Sequence, residues 1–229
     1  MTASGPVPAH SAAEALTDAA SLGPFFTVHL GGEDRGWHPV RESYARGYAD
    51  LIQTCGARYG TQEERIPASI VQLGHAARLW SPALACTVAH GVIPDFDALH
   101  RADDGAALRL PAAAGRRAGP LPDAVEALYR LVMEQHLDAF AAGLRVKVAP
   151  RLLDGNAASA LIGAARAILH LRPGLRARLT PLVSGLLARG RLAGTGDLVA
   201  PDLSFRRRSC CLFYRVPSGG KCGDCCLDR

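Results

Sequence analysis

RRSCCLFYRVPSGGKCGDCC, residues 207–226, holds five of the chain's seven cysteines, while Cys55 and Cys86 stand far upstream and far from each other. The order is Cys210-Cys211, ten intervening residues, Cys222, two intervening residues, Cys225, and Cys226 immediately after. A Cys-x2-Cys step lets two sulfurs converge on one ion, and Gly223 inside it tolerates the φ such a turn can require. Backbone N–H groups of such a turn can point at the sulfurs. Ser218-Gly219-Gly220 supplies a second bend that brings the two cysteine groups together, and SCCLFYRV between them reads as a strand.

Three occupants fit thiols in this order. Disulfides are disfavoured by the odd cysteine count and by a reducing compartment. Structural zinc takes four thiolates, but zinc ribbons mostly use two separated Cys-x2-Cys knuckles. Here one pair is adjacent, and adjacent side chains of a regular strand point to opposite faces. A [2Fe–2S] cluster is more permissive, because its four thiolates serve two irons. Spacing alone leaves zinc a contender.

Upstream of the tail the chain reads as helical. It is 48% hydrophobic and 21% charged over 229 residues, rich in Ala and poor in aromatics at 6%, which favours helices. Ser11-Ala-Ala-Glu14 forms a capping box opening a helix that stops at Gly23-Pro24. FFTVHL (25–30) reads as a strand. Over 40–58, Tyr44, Tyr48, Leu51, Ile52 and Cys55 share one helical face, which makes Cys55 a buried small hydrophobe. Thr61-Gln-Glu-Glu64 opens the next helix, and Ser81-Pro82 restarts another that buries Cys86.

Residues 101–121 lack sustained periodicity and read as a surface loop or short hairpin, the best internal boundary. Residues 123–143 repeat apolar positions at Val125, Leu128, Val132, Leu137 and Phe140, giving a long amphipathic helix with Glu134 and His136 on its solvated face. His75 and His90 read as structural or surface residues. Asn156 is placed to N-cap a helix over 156–171, and Pro181 interrupts the next over 174–190. Residues 190–203 form a polar connector. The expected fold class is mainly α with minor β (α+β), a helical body with an irregular, cysteine-bearing C-terminal segment. It divides into an N-terminal α/β-containing region (1–110), a helical region (120–190) and the cysteine segment (200–229).

The start of the sequence shows no targeting pattern, and no run approaches the length of apolar residues that spans a bilayer, so a cytoplasmic protein with no membrane span is expected. Net charge is +5 with a pI of about 9.0. No basic stripe is interleaved with aromatics, which argues against nucleic acid as a partner. No Gly-rich dinucleotide fingerprint precedes a helix, so neither NAD(P)H nor flavin binding is supported.

The C-terminal CC-x10-C-x2-C resembles the signature of the FhuF-like ferric siderophore reductases, and RRRSCCLFYRVPSGGKCGDC is similar to that family's closing segment. ARLWSPALACTVAHGVIPD (77–95) and LLDGNAASALIGA (152–164) are also similar to recurrent stretches of the family, so the likeness runs from about residue 65 onward. It implies a [2Fe–2S] cluster held by Cys210, Cys211, Cys222 and Cys225, with nothing catalytic beyond the cluster. It also implies one-electron reduction of imported ferric siderophores, releasing iron because hard oxygen donors hold Fe(III) better than Fe(II). Cys226 departs from the family's pattern and is read as a spare thiol. Electrons are expected from a separate donor, a ferredoxin or flavoprotein reductase. Arg206, Arg207 and Arg208 either offset the negative charge of the cluster or form a solvated or docking patch. Arg78 and Trp80 either contact ligand or simply pack at a helix break. The alternatives are an iron–sulfur carrier or redox sensor without a siderophore site, and a zinc-stapled binding domain.

Overall fold

The structure is a computed structural model that describes residues 5–199 and 202–228. Helix α1 (Ala9–Ala20) begins ahead of Ser11 with Pro8 as its N-cap, so the expected capping box does not form. Of FFTVHL only Val28–Leu30 is strand (β1). Strand β2 (Trp37–Pro39) then leads into helix α2 (Val40–Ala45), which is separate from α3 (Ala49–Tyr59). The single helix expected over 40–58 breaks at Gly47 and Tyr48, both left-handed (φ 68° and 54°). A Cβ on Gly47 would lie 2.5 Å from the carbonyl oxygen of Gly143, a close approach open only to glycine. Tyr44 and Tyr48 are buried, but Cys55 is only half-buried, contrary to expectation.

Helix α4 (Arg65–His90) runs unbroken through Pro82 instead of restarting at Ser81. An interior proline costs about 3 kcal/mol. Here Leu79 to Val88 are all buried, and that burial outweighs the lost backbone bond. Strand β3 (Val92–Pro94) follows, then β4 (His100–Ala102), β5 (Leu108–Leu110) and β6 (Gly115–Arg117). A sheet forms in the order β1-β5-β4-β2, with β1 parallel to β5 and the other pairs antiparallel, while β3 pairs with β6. The 101–121 segment is thus a hairpin and a further strand, and it is not a surface loop. Leu108 and Leu110 are buried along with Arg101 and Arg109. Arg109 donates to the carbonyls of Gly31, Gly32 and Glu33 at 3.1, 2.9 and 2.7 Å and pairs with Asp34. Buried arginines in these strands hid the apolar pattern.

Residues 121–143 are continuous helix: α5 (Leu121–Tyr129), a π-helical stretch (Arg130–Leu137) and α6 (Asp138–Gly143). Helix α7 (Pro150–Leu171) starts with Pro150 in its first turn, so Asn156 is not an N-cap but a fully buried mid-helix residue. Helix α8 (Arg176–Leu187) holds Pro181 without interruption. The 190–203 connector contains strand β7 (Gly196–Val199), which pairs with β8 (Ser204–Arg207). The fold is mainly α with minor β, as expected. Helices α4 and α7 pack along each other at its centre, around a core that includes Trp80, Leu84, Leu161 and Ile168. α7 is long and apolar enough to cross a membrane, but 72% of its most apolar window is buried inside the fold. It is a core helix, and no membrane span is shown.

Candidate metal centre

After β8 the chain leaves the sheet. The stretch 209–216, expected as a strand, is a bend followed by a 3-10 turn at Phe213–Arg215, because Leu212 takes a left-handed φ of 69°. That turn directs the Leu212 N–H at Cys210 Sγ (3.3 Å). In the same way the Leu227 N–H donates to Cys225 Sγ at 3.4 Å. The Cys225 N–H closes the Cys-x2-Cys turn on the Cys222 carbonyl at 3.1 Å. Gly223 is not left-handed, so the turn does not draw on its freedom. Gly219 is the glycine that matters: a Cβ there would lie 2.0 Å from the Phe213 carbonyl oxygen.

The sulfurs of Cys211 and Cys222 lie 3.7 Å apart. Two thiolates on one tetrahedral ion at about 2.3 Å would stand about 3.7 Å from each other. Burial, then Asp224 and Cys211 beside it, push the Cys222 thiol well up; burial also raises Cys210, with Cys211, Cys226 and Cys225 adding to it and the Leu212 N–H opposing. Thiols so crowded resist ionising together, and a bound cation reverses that balance. Among the described residues no three His, Cys, Asp or Glu side chains converge on a single-ion site. A close pair, with further thiols next to it, suits a centre that divides its thiolates between two irons. The donor set fits a [2Fe–2S] cluster.

A buried polar chain holds this segment to the body. Ser69 of α4 donates from Oγ to the Cys211 carbonyl at 2.8 Å. Asn156 of α7 donates to the carbonyl and the hydroxyl of Ser69, both at 3.0 Å, and accepts from Arg207 at 2.7 Å. Ser159 bonds to the Asp224 carboxylate, and the Arg207 N–H reaches the Asp224 carbonyl at 3.1 Å. At the other edge Arg215 pairs with Glu63 at 2.9 Å, and Tyr59 meets the Phe213 ring edge-on. The arginine run therefore divides. Arg207 is buried in this network, while Arg206 and Arg208 are exposed, Arg208 pairing with Asp197 at 2.6 Å.

Cys210, Cys211, Cys222, Cys225 and Cys226 occupy one segment, and Cys55 and Cys86 do not join it. Cys86 is buried in α4, where burial pushes its thiol up to about 12. Trp80 is fully buried, and Arg78 lies over the Phe25 ring and donates to the Gly74 carbonyl at 3.0 Å. Both pack in the body. His90 is a surface residue paired with Asp18. His136, expected on a solvated face, is buried: the Tyr44 hydroxyl lies 2.8 Å from its Nδ1 and 2.8 Å from His75 Nε2. Ser69, Ser159 and Asp224 carried no signal in the sequence, and Asn156 carried one for the wrong role.

A body that presents crowded thiols on a buried polar platform defines a thiolate-ligated metal centre. Residues 207–227 match the family model described as the FhuF 2Fe-2S C-terminal domain. The resemblance read from the tail is thereby shown, and the cofactor of this segment is a [2Fe–2S] cluster. No curated protein matches the chain.

Proposed function

We propose that the protein is a cytoplasmic ferric-siderophore reductase, with Cys210, Cys211, Cys222 and Cys225 as the cluster ligands and Cys226 as a spare thiol. The FhuF 2Fe-2S match at 207–227 supports the reading. The observation that carries it is the 3.7 Å Cys211–Cys222 pair beside Cys210 and Cys225. The cluster would supply one electron at a time, turning chelated Fe(III) into Fe(II). Leu212 and Leu227 N–H groups stabilise sulfur charge, and the buried Arg207 offsets negative charge in the same segment. The body of α4 and α7 shields one side and fixes the segment. A reduced ferredoxin or flavoprotein reductase would return the electron after each turnover.

The test is a single turnover. Holoprotein reduced by one electron should be re-oxidised saturably by a ferric siderophore, with one Fe(II) captured per chain by a ferrous chelator. Unselective oxidation, equally fast with ferricyanide and with unrelated ferric chelates, would instead mark an electron carrier. Stoichiometric zinc without acid-labile sulfide, in protein purified without air, would sink the cluster reading altogether.

A further inference from the structure

Between the first turns of α7, the turn at Gly190–Leu192 and the chain just after β8 lies an open cavity of about 440 Å3. Its lining includes Arg151, Asp154, Arg191, Thr195, Arg208 and Ser209. Small-molecule sites run from about 300 to 1,000 Å3. A larger cavity of about 500 Å3, between α3 and Arg145-Val146, has no lining residue from the cysteine segment. We infer that the cavity beside Ser209 is the substrate site of the reductase proposed above, and that it takes ferric chelates of net negative charge through carboxylate or catecholate oxygens. The inference rests on that proposed function.

Adjacency comes first. Ser209 is bonded to Cys210, so one wall of the cavity is one residue, about 3.8 Å between Cα atoms, from a proposed ligand. A chelate seated there would lie beside the segment that carries the proposed ligands.

Charge selects the class. Three guanidiniums line the cavity against Asp154, whose carboxyl burial pushes up. Arg191 pairs with Asp138 and, at 3.3 Å, with Asp154; Arg208 pairs with Asp197 at 2.6 Å. The two arginines are 48% and 60% exposed, so these pairs are solvent-screened and can yield to a ligand. Arg151 has no acidic partner among the described residues. The Ser209 hydroxyl itself packs against Gly155, so it is the arginines that face a ligand. A neutral hydroxamate chelate offers Arg151 hydrogen-bond acceptors without net charge, whereas an anionic one adds a charge-assisted pair.

Gallium(III) chelates match the ferric ones in charge and cannot be reduced here, so they separate binding from electron transfer. Holoprotein is titrated with gallium(III) tris-catecholate and gallium(III) citrate, and with a neutral gallium(III) tris-hydroxamate. We expect the anionic chelates to bind more tightly. Arg151→Gln and Arg208→Gln should each weaken them about tenfold while moving the neutral chelate little. Lys147→Gln, at an exposed lysine outside the cavity, should change nothing, and retained visible absorbance of the cluster confirms folding. Preferred binding of the neutral chelate, or binding unchanged in both arginine variants, would overturn the assignment. So would iron-free citrate or phosphate binding as tightly as the chelates, which would make this a general anion site only. Single-turnover oxidation is run in parallel. Saturable oxidation that both arginine variants leave intact keeps the reductase and removes this site, whereas no saturable oxidation by any ferric chelate removes the reductase itself.

Discussion

Arg207 and Asn156 meet 2.7 Å apart, guanidinium to amide oxygen, and both are almost wholly removed from solvent. One residue ends strand β8 and the other belongs to the central helix α7 of the body. Through Ser69 the same amide reaches the backbone of Cys211. The thiol segment is therefore fastened to the core by polar contacts, not by apolar burial alone.

Asn156→Ala should cost about 2–3 kcal/mol, because it strands a buried guanidinium N–H and removes both bonds that Ser69 accepts. Chemical denaturation measures the stability, and the rate of bleaching by a chelator measures the hold on the cluster. Both should suffer. A variant that bleaches at the wild-type rate would show that this platform does not position the thiols.

Gly155→Ala should displace the segment. Its Cβ would fall 2.0 Å from Ser209 Oγ and 3.1 Å from the Arg207 guanidinium. Gly163 lies on the same helix with nothing within 4 Å of an added Cβ, so Gly163→Ala should stabilise by up to about 1 kcal/mol. Hydrogen exchange over residues 207–226 distinguishes the two. Equal protection in both variants would contradict the packing described.

Serine at Cys210, Cys211, Cys222 or Cys225 should lose or degrade the cluster, since one missing thiolate opens an iron to water. Cys226→Ser and Cys55→Ser should keep it. Acid-labile sulfide per chain is the readout. Loss in Cys226→Ser with retention in Cys225→Ser would move the ligand set by one residue.

Stability should fall as pH drops from about 6.5 toward 4. Burial, with Arg41 adding and Asp95 opposing, holds His136 down at about 4, and burial holds His75 well below its ordinary value. Both are neutral when folded, while the unfolded chain takes up their protons below pH 6.5. Each histidine thus contributes a slope of about 1.4 kcal/mol per pH unit in that window. Denaturation at pH 7, 6 and 5 checks this, and His136→Asn should flatten the slope. A wild-type curve flat over that range would refute it.

Cysteine spacing made the cofactor legible because metal chemistry is local: two intervening residues fix how two sulfurs can meet. The platform was not legible, because its members come from three places in the chain. Asn156 looks like a cap only until Pro150 is recognised as the start of α7. His136 looks solvated until Tyr44, 92 residues away, supplies its partner. Prolines 82 and 181 read as breaks because the burial that overrides them lies in other segments. The Gly47-Tyr48 break has a similar origin, since the carbonyl that excludes a side chain belongs to Gly143.

The order of parts along the chain bears on how the cofactor is acquired. Ser69 and Asn156 are synthesised well before Cys210, and most of what α4 and α7 pack against precedes residues 210–226 in the chain. Much of the cradle can thus be in place before these cysteines are made, and metallation follows on a surface largely formed. Starving a cell of iron–sulfur assembly should then leave a folded apoprotein that is cut by protease in its thiol segment before its helices.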